Sequence, residues 1–326
     1  MREALPIGRA SPIIVGVEAK QSSTKPEKER RLSTITSSPA EKTRFHFSLD
    51  WLGLAPFFLF ALLFIVLASS NIIVRSILDE EGNFTFANIR GLTDANIVDA
   101  YTTSIQISLI TALMGGVLGF LVAYAIVIGG VPRWARTVII TFSSLTSQFG
   151  GVTLAFAFVA TIGRTGFITA IFKDVFDLQI YRMGFNLYSV LGLSLTYLYF
   201  QFPLMVLIMA PALEGLKTEW REASENLGAN QWQYWRHVAF PVLLPSLLGT
   251  MLLLFANAFG AQATAYALTG GTINLVTIVL SAQIRGDVLR NPGLGYSLAL
   301  GMIVIMGVCI GGYTLLQRQS ERWLKR

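Results

Sequence analysis

The 326-residue sequence has little charge and almost no cysteine or histidine. Only 13% of its residues are charged and 53% are hydrophobic, whereas an average soluble protein has about 25% charged residues. Such a chain has too few charges to cover a globule of its size, so a water-soluble fold is excluded and a lipid bilayer is the expected solvent.

The missing residue types also exclude several kinds of chemistry. One Cys and two His leave no intrachain disulfide and no metal-ligand spacing, and no pattern indicates a cofactor or an enzyme. The sequence has no Gly-x-x-x-x-Gly-Lys-Ser/Thr loop to hold nucleotide phosphates. Its basic residues are not interleaved with aromatic ones, so nucleic acid is not an expected partner.

Long apolar runs are what the sequence has instead. A helix needs roughly 20 apolar residues to cross the hydrocarbon core, and the runs lack the alternation of barrel strands. The sequence therefore predicts an all-α integral membrane protein with six transmembrane helices. They are expected at about 52–74, 102–128, 138–162, 187–210, 245–267 and 298–316.

The first fifty residues differ from the rest. Residues 1–50 are rich in Ser, Thr, Lys, Arg and Glu, which is typical of a disordered arm. The first span, 51–75, is expected to remain as an anchor because no signal-peptide pattern precedes it. Residues 95–320 would then form a core of five further spans.

Positive charges predict the orientation. If the N-terminus is cytoplasmic, 18 of the 25 Lys and Arg residues fall on the cytoplasmic side, as the positive-inside rule requires. Both termini are therefore expected in the cytoplasm. Without residues 1–50, nine Lys and Arg residues fall on the cytoplasmic side and seven on the outer side.

A polar segment, 213–241, lies between the fourth and fifth spans on the predicted cytoplasmic side. Leu213, Leu216, Trp220, Ala223 and Leu227 recur at spacings of three and four, which predicts one amphipathic helix. We expect Gly228 to end it with a left-handed cap. Asn230 would then cap a second short helix that ends before Pro241. A helical loop lying on the lipid headgroups is the alternative interpretation.

The residue pattern of this segment resembles the EAA loop of the inner-membrane permease subunits of binding-protein-dependent ABC importers. Glu222-Ala223-Ser224 is followed after three residues by Gly228, and after nine more by Val238-Ala239-Phe240-Pro241. The family pattern is Glu-Ala-Ala, three residues, Gly, nine residues, Ile-x-Leu-Pro. Ser224, Val238 and Phe240 depart from it, but the spacing matches throughout. The resemblance covers roughly residues 95–320.

The resemblance implies a permease-type bundle whose EAA loop forms a cytoplasmic coupling helix that docks on a separate ATPase. It also implies the partners: two ATPase subunits, a second permease subunit, similar or identical, and an extracytoplasmic solute-binding protein, in a bacterial or archaeal inner membrane. The residues expected at the ATPase contact are Trp220, Glu222, Ala223, Ser224, Leu227, Gly228 and Pro241. Within them, Ala223 and Ser224 would permit close approach, and Trp220 or Leu227 would fill an apolar pocket.

The region 250–310 is most similar to the branch of the family that moves polyamines, ferric iron, sulfate, thiamine and related small polar solutes. Polar residues inside spans predict the pathway, because each needs a partner or water. We expect Gln148, Asn257 and Gln262 to line it; the alternative role is interhelical hydrogen bonding.

The predicted spans contain no charged residue near their middles, which disfavours an ion-coupled carrier. A secondary carrier or channel without an ATPase remains the alternative function, and a membrane scaffold is a second one. Gly115-x-x-x-Gly119 and Gly307-x-x-x-Gly311 predict close helix contacts, and residues 274–283 predict a short interfacial or re-entrant helix.

Overall fold

A computed structural model describes residues 50–79, 81–285 and 291–324 of the chain. The chain divides into two units, residues 1–57 and 58–326. Of the first unit only residues 50–57 are described, and they are helical. The arm predicted for residues 1–50 lies outside the described residues except for Asp50.

The described residues are almost entirely helical. The α-helices are α1 (Asp50–Phe60), α2 (Leu67–Ser76), α3 (Ala87–Arg90), α4 (Ala95–Val127), α5 (Arg133–Gln148), α6 (Gly151–Ile162), α7 (Phe167–Phe176), α8 (Val190–Glu214), α9 (Thr218–Asn226), α10 (Gln231–Tyr234), α11 (Phe240–Phe259), α12 (Gln262–Thr269), α13 (Val276–Arg285) and α14 (Pro292–Leu324). Ala61–Val66 and Trp235–Ala239 are π-helical, and Gly91–Thr93 is a 3₁₀ turn.

In the described part of the chain, six helical segments are long and apolar enough to cross a membrane, which confirms the predicted number. They are Leu54–Ser76, Ala95–Val127, Gly151–Phe176, Val190–Glu214, Gln231–Phe259 and Pro292–Leu316. The predicted helix over 274–283 is also present, as α13.

The third predicted span, 138–162, is wrong as a single helix. Helix α5 ends at Gln148 and α6 begins at Gly151, whose φ of +69° belongs to the left-handed region that glycine tolerates. The two glycines at 150 and 151 therefore break the helix. The span that meets the length requirement is 151–176, and it contains Arg164 at the turn between α6 and α7.

The fifth span lies earlier in the chain than the predicted 245–267. It begins at Gln231 and ends at Phe259, where the backbone turns at Gly260 and Ala261 before α12 begins. The second short helix predicted before Pro241 is also wrong, because α10 continues into α11 through the π-helical turn Trp235–Ala239. Pro241 lies just after this turn, in the first turn of α11. Because proline has no N–H to donate, Pro241 makes no backbone hydrogen bond as a donor there.

Helices α4 and α8 form the most extensive pair in the bundle, and α11 packs against both and against α14. Glycines permit the α4–α8 contact. A Cβ added at Gly115 would lie 2.7 Å from the Cβ of Gln201, and one at Gly119 would lie 2.5 Å from the carbonyl oxygen of Phe202. The first Gly-x-x-x-Gly pattern thus makes the predicted close contact. Gly307 and Gly311 have no described atom within 4 Å of such a Cβ.

Candidate functional site: the loop between the fourth and fifth spans

The loop begins where α8 ends at Glu214 and Gly215. Helix α9 starts only at Thr218, with Lys217 at its N-cap in extended conformation. Leu213 therefore belongs to α8, and the single amphipathic helix predicted from 213 to 227 is wrong. Gly215 at the end of α8 separates the two helices, so the short α9 can take a direction different from that of α8.

The turn after α9 is a Schellman motif. Gly228 has a φ of +81°, the left-handed conformation that the sequence predicts. Its N–H donates to the Glu225 carbonyl at 2.9 Å, and the Ala229 N–H donates to the Ser224 carbonyl at 3.0 Å. These two bonds satisfy carbonyl groups that the end of a helix leaves without partners. Glycine suits this position because other residues are strained at this φ.

A capping box begins the next helix, as expected of Asn230. The Asn230 side chain accepts from the Gln233 N–H at 2.8 Å, and the Gln233 side chain accepts from the Asn230 N–H at 2.8 Å. Two backbone N–H groups that would otherwise have no helical partner are thus paired. The segment therefore has a fixed exit from α9 and a fixed entry into α10.

The faces of α9 differ in exposure. Leu227 is 89% exposed, and Glu222 and Ala223 are exposed beside it. Ser224 is only 8% exposed, and its hydroxyl donates to the Arg221 carbonyl at 2.7 Å. Trp220 is half-buried, with the Lys217 ammonium 5.8 Å from the centre of its ring. Ala223 and Ser224 thus lie on different faces, although the sequence analysis placed both at one contact.

Among the described residues, two ion pairs lie at or next to this loop, whereas the carboxylate of Glu222 is unpaired. Arg221 pairs with Glu225 at 2.9 Å, and this hydrogen bond raises the pKa of the Arg221 guanidinium. Arg136, at the start of α5, forms an ion pair with Glu214 at the end of α8. Glu222 makes no hydrogen bond or ion pair within the part of the chain that the structure describes. Its carboxylate is therefore available to a cationic group outside this chain.

The three residues predicted on the pathway lie apart. Gln148 is exposed as the last residue of α5. Asn257 lines a cavity of about 570 Å³ between α11 and α14, whose other lining residues include Cys309. Gln262 starts α12 and lines a different cavity of about 580 Å³ between α6, α12 and α13. Asn257 and Gln262 thus line different cavities, and their role on the pathway remains a prediction.

One polar residue of the bundle was missed. Gln201 is fully buried in α8, and its amide nitrogen donates to the Leu254 carbonyl of α11 at 3.0 Å. Its side-chain oxygen has no hydrogen-bond partner. A single Gln inside the apolar run LYFQFP is the signal that would have identified it, because a buried amide in a span needs a partner.

These features define a class: an all-helical, multi-pass membrane protein with a structured, exposed loop between its fourth and fifth spans. Residues 115–326 match the family described as "Binding-protein-dependent transport system inner membrane component", and the chain belongs to this family. The EAA motif is a feature of that family, which confirms the resemblance inferred from residues 222–241.

Named relatives and solved structures agree with this assignment. The chain is 27% identical over 233 residues to the "Probable sulfate transport system permease protein cysT" of Chlorella vulgaris. The aligned residues cover 70% of this chain and 80% of the relative. It is 28% identical over 197 residues to the "Sulfate transport system permease protein CysT" of Escherichia coli (59% and 66%).

The fold is similar to that of a chain from a crystal structure of "a bacterial ABC transporter involved in the import of the acidic polysaccharide alginate". The TM-score is 0.60 at 16% identity, over 84% of this chain and 96% of that chain. At this identity the likeness shows the fold alone, and it confirms the predicted all-helical permease architecture.

Proposed function

We propose that this chain forms half of the translocation pathway of an ATP-driven importer and receives the ATPase movement through the segment 213–241. A separate ATPase subunit, present in two copies, binds α9. A second permease subunit, similar or identical, completes the pathway, and an extracytoplasmic binding protein delivers a small polar solute. The chain itself is not an enzyme; the partner hydrolyses ATP.

The observation that supports the proposal most is the free face of α9. The side chains of Glu222, Ala223 and Leu227 are exposed together, and the Glu222 carboxylate has no hydrogen-bond or ion-pair partner within the described part of the chain. An exposed Leu beside a small residue and an unpaired carboxylate is the composition of a docking surface with an apolar anchor. Leu227, which is 89% exposed, would supply the apolar group of this surface.

The connections of α9 suit the transmission of movement. Residues 215–217 join it to α8, and the Schellman turn and capping box join it to α10, which is continuous with α11. Displacement of α9 would therefore act on the fourth and fifth spans together. The Arg136–Glu214 ion pair adds α5 to the same end of the bundle.

The proposed ATPase contact also implies which loops and termini face the cytoplasm. Because α9 contacts a cytoplasmic ATPase, the loops with most of the Lys and Arg residues lie in the cytoplasm, together with both termini. The host membrane is a bacterial or archaeal inner membrane. The names of the sulfate permease relatives support a small polar solute as the cargo.

A secondary carrier without an ATPase is the second candidate. Ion-coupled carriers use carboxylates deep in the membrane. In the six described spans the carboxylates lie near the ends, at Asp99, Asp174 and Glu214. Their positions favour the importer.

Uptake by two pairs of variants tests the proposal. Glu222→Lys reverses the charge on the free face of α9, and Glu81→Lys makes the same change at an exposed residue between the first two spans. We expect Glu222→Lys to abolish uptake of the transported solute and Glu81→Lys to retain it, with both proteins inserted in the membrane at the wild-type level.

The glycine pair is matched by backbone geometry. Gly228 and Gly82 both have a φ of +81°, with no described atom within 4 Å of an added Cβ. Each donates its N–H in a turn, to Glu225 and to Asp79 respectively. Proline cannot adopt this φ and has no N–H, so both substitutions disrupt a turn, but only Gly228→Pro should stop uptake. Normal uptake by Glu222→Lys and Gly228→Pro would refute the coupling role.

A further inference from the structure

The cavity between α6, α12 and α13 has a lining that differs from the apolar helices around it. Its polar side chains are Gln262 and Tyr266 on α12 and Ser281 and Arg285 on α13. Val152, Ile278 and three alanines complete the lining. The volume of about 580 Å³ is within the range of small-molecule sites, about 300–1,000 Å³.

Helical spacing brings these polar groups to one place. Gln262 and Tyr266 are four residues apart on α12, and Ser281 and Arg285 are four apart on α13, so each pair lies on one face. Gly270 and Gly271, with φ of +60° and +85°, let the chain turn sharply between the helices. A Cβ at Gly271 would lie 3.7 Å from Ile278 and 3.9 Å from the Tyr266 ring, so the turn lies close to both helices.

The start of α13 is fixed to α4. The Val276 N–H donates to the Ser104 hydroxyl at 2.9 Å. The Asn274 amide nitrogen donates to the Asn96 carbonyl at 2.9 Å and to the Asp99 carboxylate at 3.0 Å. Positions on such an anchored element are more precise than positions on a free loop.

All four polar side chains can donate hydrogen bonds, and the described residues that line the cavity include no carboxylate. Arg285 carries a permanent positive charge with five N–H donors, and within the described part of the chain it forms no ion pair. Tyr266 lines the cavity and is 58% exposed. Among the described lining residues, a cation would meet the Arg285 charge and no carboxylate to balance it.

We infer that this cavity is a cargo-binding site for a small oxyanion, such as a sulfate-like anion or a small carboxylate. The inference rests on the proposed importer function and specifies the class of its cargo. Arg285 supplies the charge-assisted hydrogen bonds that an oxyanion favours, and Gln262, Tyr266 and Ser281 supply neutral donors. Polyamines and thiamine, which are cations, are disfavoured.

Cysteine labelling measures the charge preference of the cavity directly. In a Cys309→Ser background, Ser281→Cys places one thiol in the cavity, and Thr272→Cys places one at an exposed residue of the same loop that does not line it. Unsealed membranes that contain the full chain are treated with methanethiosulfonates that carry a sulfonate or a trimethylammonium group. Each labelling rate is divided by the rate at which the same reagent reacts with a free thiol in solution, so that the two reagents can be compared.

We expect the sulfonate-to-trimethylammonium rate ratio at Ser281→Cys to exceed that at Thr272→Cys by at least about fivefold, since a nearby cation favours the anionic reagent. Adding Arg285→Gln should reduce the ratio to that of Thr272→Cys, whereas Arg285→Lys should preserve it. Equal ratios at the two positions, or a preference for the cationic reagent at Ser281→Cys, would overturn the inference.

This test is independent of the importer proposal because labelling requires neither ATP nor an ATPase. If labelling shows no anion preference while Glu222→Lys still abolishes uptake, the importer stands and the oxyanion assignment fails. If the anion preference is present but the Glu222 and Gly228 variants transport normally, the coupling role fails and the anion site remains.

Discussion

The close contact of α4 and α8 at Gly119 gives a quantitative prediction for Gly119→Ala. An added Cβ at Gly119 would lie 2.5 Å from both the Cβ of Met205 and the carbonyl oxygen of Phe202. Ordinary contacts begin at 3.4 Å, so the methyl group is about 0.9 Å too close. The Phe202 oxygen is backbone, so a side-chain rotamer change cannot relieve this contact and α4 and α8 must separate.

The cost of this separation follows from the packing of the two helices. Inserting a methyl group into a well-packed core destabilises by about 1–3 kcal/mol, and each kcal/mol lowers the unfolding midpoint of a chain of this size by roughly 2–4 °C. We therefore expect Gly119→Ala to unfold several degrees below wild type in mild detergent, followed by fluorescence-detected size-exclusion chromatography after heating.

Gly307→Ala is the matched control. It makes the same change in a spanning helix, but no described atom lies within 4 Å of the added Cβ. Its midpoint should therefore equal or exceed that of wild type, because Ala is a better helix former than Gly. If the two variants unfold at the same temperature, the close approach of α4 and α8 at Gly119 is refuted.

Two further predictions concern polar groups. Gln201→Glu should lower the unfolding midpoint more than Gln201→Leu, because the carboxyl group would be buried without a charged partner. The Leu variant loses one interhelical hydrogen bond of about 0.6–1.7 kcal/mol, but it also removes the unpaired oxygen. Equal midpoints for the two variants would contradict this prediction. Asn230→Ala should speed amide hydrogen exchange at residues 231–234, because loss of the cap costs about 1 kcal/mol. Gln231→Ala is its control, and equal exchange in the two variants would argue against the capping box.

The sequence predicted the features that depend on local chemistry. Six apolar runs indicated six spans because hydrocarbon imposes a length on any helix that crosses it. Gly228 and Asn230 indicated a turn and a cap because both depend on backbone geometry within a few residues.

Features that depend on contacts between distant segments could not be read from local pattern. The spacing of Ala223 and Ser224 leaves open which residue faces the rest of the chain, and the burial of Ser224 settles it. The Gln201–Leu254 hydrogen bond joins residues 53 positions apart. The cavity at Arg285 likewise requires α13 to fold back against α12, whereas in the sequence Arg285 lies simply between spans.

The main error of the sequence-based prediction was to continue helices through breaks within apolar runs. Residues 149–151 and 260–261 lie inside stretches that are apolar on both sides, so hydropathy alone continues the helix through them. Gly151 takes a positive φ, and Ala261 leaves the helical region before α12 begins. Hydropathy reports the solvent of a segment but not the direction of its backbone.

The central claim is that α9 binds an ATPase, and co-purification tests it most directly. The tagged full-length chain is purified from its native membrane in mild detergent, as wild type, Glu222→Lys and Glu81→Lys, and the accompanying proteins are identified by mass spectrometry. We predict that an ATPase subunit accompanies the wild type and Glu81→Lys and is lost with Glu222→Lys. An ATPase that remains bound to Glu222→Lys, or that accompanies none of the three, would contradict the account.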